Sequence, residues 1–268
     1  MNKIVYIRPS LAEEDEVEAL RSLGIPYTLN RAQIPPGSRV IGRYSVLPYY
    51  QELVSELKHN GSELVNSYAD HQYVADLGSY AYDLGDLTPQ TWSSMEYVSK
   101  DTRGMVLKGA TNSKKHQWNT HMYADTWQDA MIVFLRLSED SLIGTQHIYI
   151  RKYVPLVSLG RTMTGLPITK EFRFFVFNGH IVSSNFYWSS FNEDIVEQGY
   201  TVPSVDEVPA EFMKTVIDCL SPNVLFYAVD VAQDDTNRWW VIDVNDGQMS
   251  GLSGIDPVTF YQRLMQLV

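Results

Sequence analysis

FYAVDVA at residues 226–232 and WWVIDVNDG at residues 239–247 are the two runs that decide how this chain reads. Both are apolar and rich in β-branched and aromatic residues, and the polar stretch QDDTNR at 233–238 separates them, which is the pattern of a β-hairpin. Asp243 and Asn245 are two residues apart, so on a strand they share a face, and Asp230 can lie across the ladder from them. Two carboxylates and an amide oxygen form a hard ligand set suited to Mg²⁺. The plainer alternative is a polar hairpin with its charges in solvent. Val229, Val231, Val241, Ile242 and Val244 argue against it by making both strands apolar around the charges. Burying such charges unpaired costs several kcal/mol each, roughly. Asp246-Gly247 reads as the following turn, residues 250–254 as a small-residue loop that ligands can approach, and Asp234 and Asp235 as solvated turn residues.

The bulk composition sets limits. With 268 residues and a hydrophobic fraction of 44%, the chain can build a large domain or two to three lobes around real cores. Its net charge of −11, without a basic stripe, argues against nucleic acid as a partner, since polyanion binding needs several phosphate-neutralising cations. Small phosphates need only a few. The single cysteine, Cys219, falls in an amphipathic stretch at 209–220 and reads as a buried, inert thiol. The N-terminus turns polar too soon for a signal peptide, and no run has the length of a membrane span. A soluble protein of a reducing, cytoplasmic compartment is expected.

The first third alternates strands (4–7, 25–29, 39–43, 63–65) with helices (from a Ser10/Glu13 capping box through Leu23, and 48–59), which implies a small parallel sheet flanked by helices. A helix is expected at 71–77. A strand at 105–108, a helix opened by Thr126 and Asp129, and a strand at 147–153 come next. Asn178-Gly179 marks a tight hairpin between 171–177 and 180–184, and Asp256-Pro257 opens a last helix.

Several residues could carry chemistry. Lys108 ends a strand and opens a loop with Lys114, Lys115 and His116; a cation there suits a polyphosphate, although a solvated lysine is the plainer reading. Arg151, Lys152, Tyr153 and Val154 precede Pro155, and such a strand edge can offer backbone groups to an adenine ring or be ordinary. Glu171 and Arg173 share one strand face, opposite Phe172 and Phe174. A planar guanidinium suits a phosphoryl oxygen; an exposed ion-paired face is the alternative.

In this order, the pieces resemble the ATP-grasp superfamily of carboxylate–amine ligases over nearly the whole chain. Arg151 to Val154 resembles the hinge that reads adenine, Lys108 the loop lysine, Arg173 the arginine facing the γ-phosphate, and Asp230, Asp243 and Asn245 the magnesium set, in which glutamate more often stands for Asp243. Asn66-Ser67 and Thr88-Pro-Gln-Thr91 resemble the segments ahead of the ATP lobe. The departures are a loop after Lys108 with only Gly109, Lys100 as the sole candidate for an earlier adenine-side lysine, and Ala228 where many members carry arginine. They point toward a divergent group such as the arginine-to-lysine clade of phage and bacterial genomes.

The resemblance implies an α/β (α+β) fold with a pre-ATP-grasp domain at 1–88 and two ATP-gripping lobes at 89–150 and 151–268. It implies ATP and Mg²⁺ as cofactors, with Mn²⁺ able to substitute, and small-molecule or peptide carboxylates and amines as partners. Lys108 and Arg173 would be catalytic. Lys114, Arg151, Lys152, Tyr153, Val154 and Glu171 would join them around ATP. Arg8, Arg43, Gln248, Ser250 and Gly251 are substrate-side candidates, although both arginines could be ordinary surface residues. A ligase working through an acyl phosphate is the expected activity; a kinase on the same scaffold and a non-catalytic nucleotide-binding module are the alternatives.

Overall fold

The computed structural model describes residues 2–9, 12–43, 49–163 and 165–268. The first layer contains β1 (Asn2–Ile7), α1 (Glu14–Ser22), β2 (Tyr27–Thr28), β3 (Ser38–Arg43), α2 (Tyr50–His59) and β4 (Glu63–Leu64), with a parallel sheet in the order β2-β1-β3-β4. Alternation along the strands splits its contacts between two cores. Val5, Ile7 and Ile41 pack with Leu20 of α1, whereas Ile4 and Val40 pack with Leu53 and Leu57 of α2. Of the anticipated helix starts, Ser10 and Pro48 lie outside the described residues. Glu13 stands at the cap of α1 without a side-chain cap bond.

The single helix expected at 71–77 is two helices, α3 (Tyr68–Ala75) and α4 (Leu77–Leu84). A Ser67–Asp70 capping box opens α3; Asp76, extended at φ −113° and ψ 107°, ends it and caps α4 by accepting from the Gly78 N–H. Next come β5 (Thr91–Trp92), β6 (Met105–Gly109), α5 (Trp118–His121), β7 (Tyr123–Ala124), α6 (Trp127–Ser138) and β8 (Ile148–Lys152), whose antiparallel sheet runs β5-β8-β6-β7. Thr126 and Asp129 form the capping box their spacing predicts, and Ala130, Val133 and Leu137 turn α6 onto this sheet. Arg151 and Lys152 still pair with Val106 and Met105, so the chain leaves the sheet at Tyr153.

The remainder forms β9 (Ser158–Arg161), β10 (Pro167–Thr169), β11 (Glu171–Phe177), β12 (His180–Phe186), α7 (Asn192–Glu197), α8 (Ala210–Leu220), β13 (Phe226–Gln233), β14 (Trp239–Asp246) and α9 (Pro257–Leu267). β9 and β10 pair alone, while β12-β11-β13-β14 is an antiparallel sheet. Asn178 and Gly179 both have positive φ, 47° and 77°, as a two-residue hairpin turn requires. One face of the sheet, with Phe172, Phe174, Val229 and Val231, packs on Ala81 of α4 and Met213, Val216 and Leu220 of α8. The other, with Phe175, Phe177, Phe226 and Ala228, packs on Phe260 and Leu264 of α9 and on Val5, Ile7 and Leu20 of the first layer. The beginning and end of the chain thus share one core. Among the described residues no helix is long and apolar enough to cross a membrane.

Candidate functional site

Three adjacent strands bring the charged residues into one row. Arg173 of β11 stands opposite Asp230 of β13, and Asp230 stands opposite Asp243 of β14. Asp230 is 2% exposed, and its two oxygens accept from Arg173 Nε and Nη2, both at 2.7 Å. Such a two-point fork is the strong form of a charge-assisted bond. Arg173 also donates from Nη1 to Gly251 O at 2.9 Å, and its pKa rises because Asp230 outweighs the opposing effect of burial.

Asp243 is held by a different strand. Its Oδ1 accepts from Lys108 Nζ of β6 at 2.9 Å and from the Tyr80 hydroxyl of α4 at 2.8 Å. Burial alone would raise this carboxyl; the Lys108 ammonium overcomes that and holds it down at about 2, so Asp243 is ionised at neutral pH. Lys108 itself is pushed down by burial, and Asp243 is the main group that opposes the shift. Just before Asp243 the register slips: Val231 pairs with Val241, leaving Ile242 as an extra residue in β14. This bulge frees the Ile242 carbonyl to accept from Arg151 Nη1 at 2.6 Å. Asn245 pairs with Ala228 and is half-buried, and its amide has no side-chain hydrogen bond among the described residues.

These donors fit a divalent cation of the Mg²⁺ type. Two ionisable oxygen ligands face each other across one ladder, with an uncommitted amide two residues on. Among the described residues no group of three or more His, Cys, Asp or Glu side chains could hold a metal, so the set is limited to two carboxylates and that amide.

A cleft of about 310 Å³ opens beside the row and is lined by Lys108, Arg151 to Val154, Glu171, Ile242 and Asp243. Arg151 lines it, but its guanidinium also ties the lobes together, with Nη2 donating to Thr88 Oγ1 at 2.7 Å. Lys152 and Tyr153 give their N–H groups to Gln90 O and Gly104 O. The Val154 N–H is left without a backbone partner among the described residues. The Lys152 side chain turns away to the Arg103 carbonyl.

Of the two neighbouring loop lysines, the structure selects the other one. Lys114 is ion-paired with Asp140 at 2.6 Å, away from the cleft. Lys115 lines the cleft and donates to the Tyr187 hydroxyl at 3.4 Å. Burial would lower its pKa, but Glu171 and the surrounding Tyr187, Asp230 and Asp243 raise it. Arg173 stacks over the same Tyr187 ring, 4.8 Å from its centroid.

The substrate-side candidates separate. Arg43 is 1% exposed and ion-paired with Glu16 at 3.0 Å, and it also donates to Gly247 O at 2.8 Å. Gln248 accepts from the Gly42 N–H and donates to the Tyr50 hydroxyl, while Ser250 donates to Asp246 O. These three side chains are therefore corrected from substrate walls to buried struts: their polar atoms already have protein partners. Arg8 is half-buried, with its N–H on the Arg43 carbonyl, and Gly251 has open space where a Cβ would point. Asp234 departs from its expected solvated state. It is 5% exposed and accepts from Thr236, Arg238 and Trp240, organising the β13–β14 turn. Burial pushes the Cys219 thiol up, in keeping with an inert residue.

Sequence reasoning did not single out Tyr80, Tyr187 or Trp188. Each belongs to an aromatic-rich stretch whose members look alike without the fold.

The family model described as the ATP-grasp domain, arginine-to-lysine clade family 3, matches residues 90–264. The fold is similar to that of the RimK domain protein ATP-grasp from Sphaerobacter thermophilus, with a TM-score of 0.59 and 14% identity over 98% of this chain and 99% of that one. It is also similar to D-alanine–D-alanine ligase from Bacillus anthracis, with a TM-score of 0.57 and 14% identity over 100% and 97%. Macrocyclase MdnC bound with precursor peptide MdnA, from Microcystis aeruginosa, gives 0.57 and 12% identity over 98% of each chain. At these identities the likeness is one of fold. No curated protein matches the chain.

Proposed function

This chain belongs to the ATP-grasp domains of the arginine-to-lysine clade, family 3, and from that premise we propose that it is an ATP- and Mg²⁺-dependent ligase joining a carboxylate to an amine. The observation that carries the reading is the convergence of Lys108, Arg173 and two facing carboxylates beside a hinge-lined cleft. In this reading residues 1–88 form the substrate-side layer, and 89–150 and 151–268 grip the nucleotide.

The base lies between Val106, Leu156 and Ile242, with its polar edge toward the Val154 N–H. Lys108, Lys115 and Arg173 hold the phosphates. Mg²⁺, held by Asp230, Asp243 and Asn245, supplies positive charge that offsets the phosphate oxygens as phosphoryl transfer proceeds. A carboxylate oxygen of the substrate bonds to the γ-phosphorus as the bond to ADP breaks, giving an acyl phosphate. The amine nitrogen then bonds to the acyl carbon, the proton leaves nitrogen, and phosphate departs. No side-chain nucleophile is required, which agrees with an unreactive Cys219.

The test combines the full chain with ATP, Mg²⁺ and pools of amino acids and short peptides, and measures ADP and phosphate. Release of both that depends on carboxylate and amine together is expected. ADP with a stable phosphorylated product, or binding without turnover, would overturn the ligase assignment.

A further inference from the structure

Glu171 opens β11 and is 3% exposed. Its Oε2 accepts from Thr169 Oγ1 at 3.0 Å and from Trp188 Nε1 at 3.3 Å. Its Oε1 is buried with no hydrogen-bond partner. A carboxylate oxygen left so carries the full cost of lost hydration, and native proteins leave few such atoms without a reason. The residue lines the nucleotide cleft. The nearest loop cation does not satisfy it, because Lys115 is directed to the Tyr187 hydroxyl.

Position along β11 identifies what the free oxygen faces. Arg173, two residues further and on the same strand face, is about 7 Å along the strand. Beyond Arg173 is the loop after β14, reached through the Gly251 carbonyl, and this is the substrate side. On the other side of Glu171 are Thr169 and the apolar Leu166 and Pro167, which continue the wall toward the hinge. Glu171 therefore stands between the phosphate cations and the base pocket. A carboxylate repels phosphate, and the base pocket is served by apolar side chains and a backbone N–H. The ligand group between base and phosphates is the sugar, whose hydroxyls are donors.

Resting on the nucleotide-binding reading above, we infer that Glu171 Oε1 accepts the ribose hydroxyls of the nucleotide and makes the cleft selective for ribonucleotides. Thr169 and Trp188 fix the carboxylate from its other oxygen, so the acceptor is oriented before the ligand arrives. Burial pushes the Glu171 pKa up and Lys115 pulls it down, so the bound hydroxyls add donors at an oxygen that has none.

The experiment titrates the full chain in Mg²⁺ with ATP and with 2′,3′-dideoxyATP, following the fluorescence of Trp118 and Trp188, which line the cleft. The wild type should bind ATP about 10- to 100-fold more tightly, the range of a hydrogen bond to a charged group. Glu171→Gln and Glu171→Met should bring the ratio below about threefold while leaving dideoxyATP affinity nearly unchanged. Equal wild-type affinity for the two nucleotides, or a loss in the variants that is the same for both, overturns the assignment. The wild-type ratio needs no variant, so a folding defect cannot mask the answer. Binding of neither nucleotide would instead overturn the nucleotide reading itself.

Discussion

Asp243→Asn removes one charge from the centre of the site and almost nothing else. The asparagine keeps an oxygen for the donors that Asp243 Oδ1 accepts, Lys108 Nζ at 2.9 Å and the Tyr80 hydroxyl at 2.8 Å. The Asp243 carboxyl sits at about 2. Set against an ordinary aspartate at about 3.9, that difference corresponds to about 2.5 kcal/mol favouring the ionised, folded site. The variant should therefore lose about 2 kcal/mol, a fall in Tm of about 4–8 °C for a chain of this size. Because the folded value lies below the unfolded one, this contribution is present above about pH 4 and disappears as pH falls toward about 2. The melting curves of variant and wild type should converge across that window. Turnover should fall at least about a hundredfold, since the lost charge is one that the proposed Mg²⁺ requires. Differential scanning calorimetry across pH and an ADP-release assay check both halves. Unchanged melting would refute the Lys108 pairing; near-normal ADP release would refute the metal assignment.

Three further outcomes follow from the geometry. Lys115→Ala should weaken ATP binding about tenfold and Lys114→Ala by less than about twofold, measured by nucleotide titration, because only Lys115 lines the cleft. Arg173→Lys keeps the charge but loses the fork on Asp230, so ADP release should drop at least about tenfold and stability by about 1–2 kcal/mol in thermal melts. Asn66, fully buried, bonds both the N–H and carbonyl of Phe226 and the Asp246 carboxylate; Asn66→Ala should cost about 3 kcal/mol in urea unfolding.

Much of the final sheet was legible because its signals are local. The alternation of β13 and β14 and the turn between them place Asp230 opposite Asp243, and Asn178-Gly179 can adopt the positive φ that its hairpin requires. The Thr126–Asp129 capping box was equally plain. What was not legible depends on distant partners or irregular backbone. Ile242 is invisible as a bulge because every neighbour is apolar, so no alternation is broken. Lys114 and Lys115 are chemically identical, and only the course of the loop decides which one turns inward. Arg43 looked available for a substrate because its partner, Glu16, is 27 residues away on another element. The break at Asp76 was hidden by helix-compatible residues on both sides.

The shared core of the first layer and the last sheet has a consequence for how the molecule can be divided. Phe175, Phe226, Phe260 and Leu264 are covered from outside by Val5, Ile7, Ala19 and Leu20, and Lys3 Nζ reaches the Met265 carbonyl at 3.0 Å. A fragment starting near residue 89 would contain the lysine, arginine and carboxylate row yet leave one side of that aromatic cluster in water. Such a fragment should bind ANS strongly and self-associate, whereas the intact chain should not. The catalytic half and the layer ahead of it form a single cooperative folding unit, so inheritance, engineering or proteolysis must keep or discard them together.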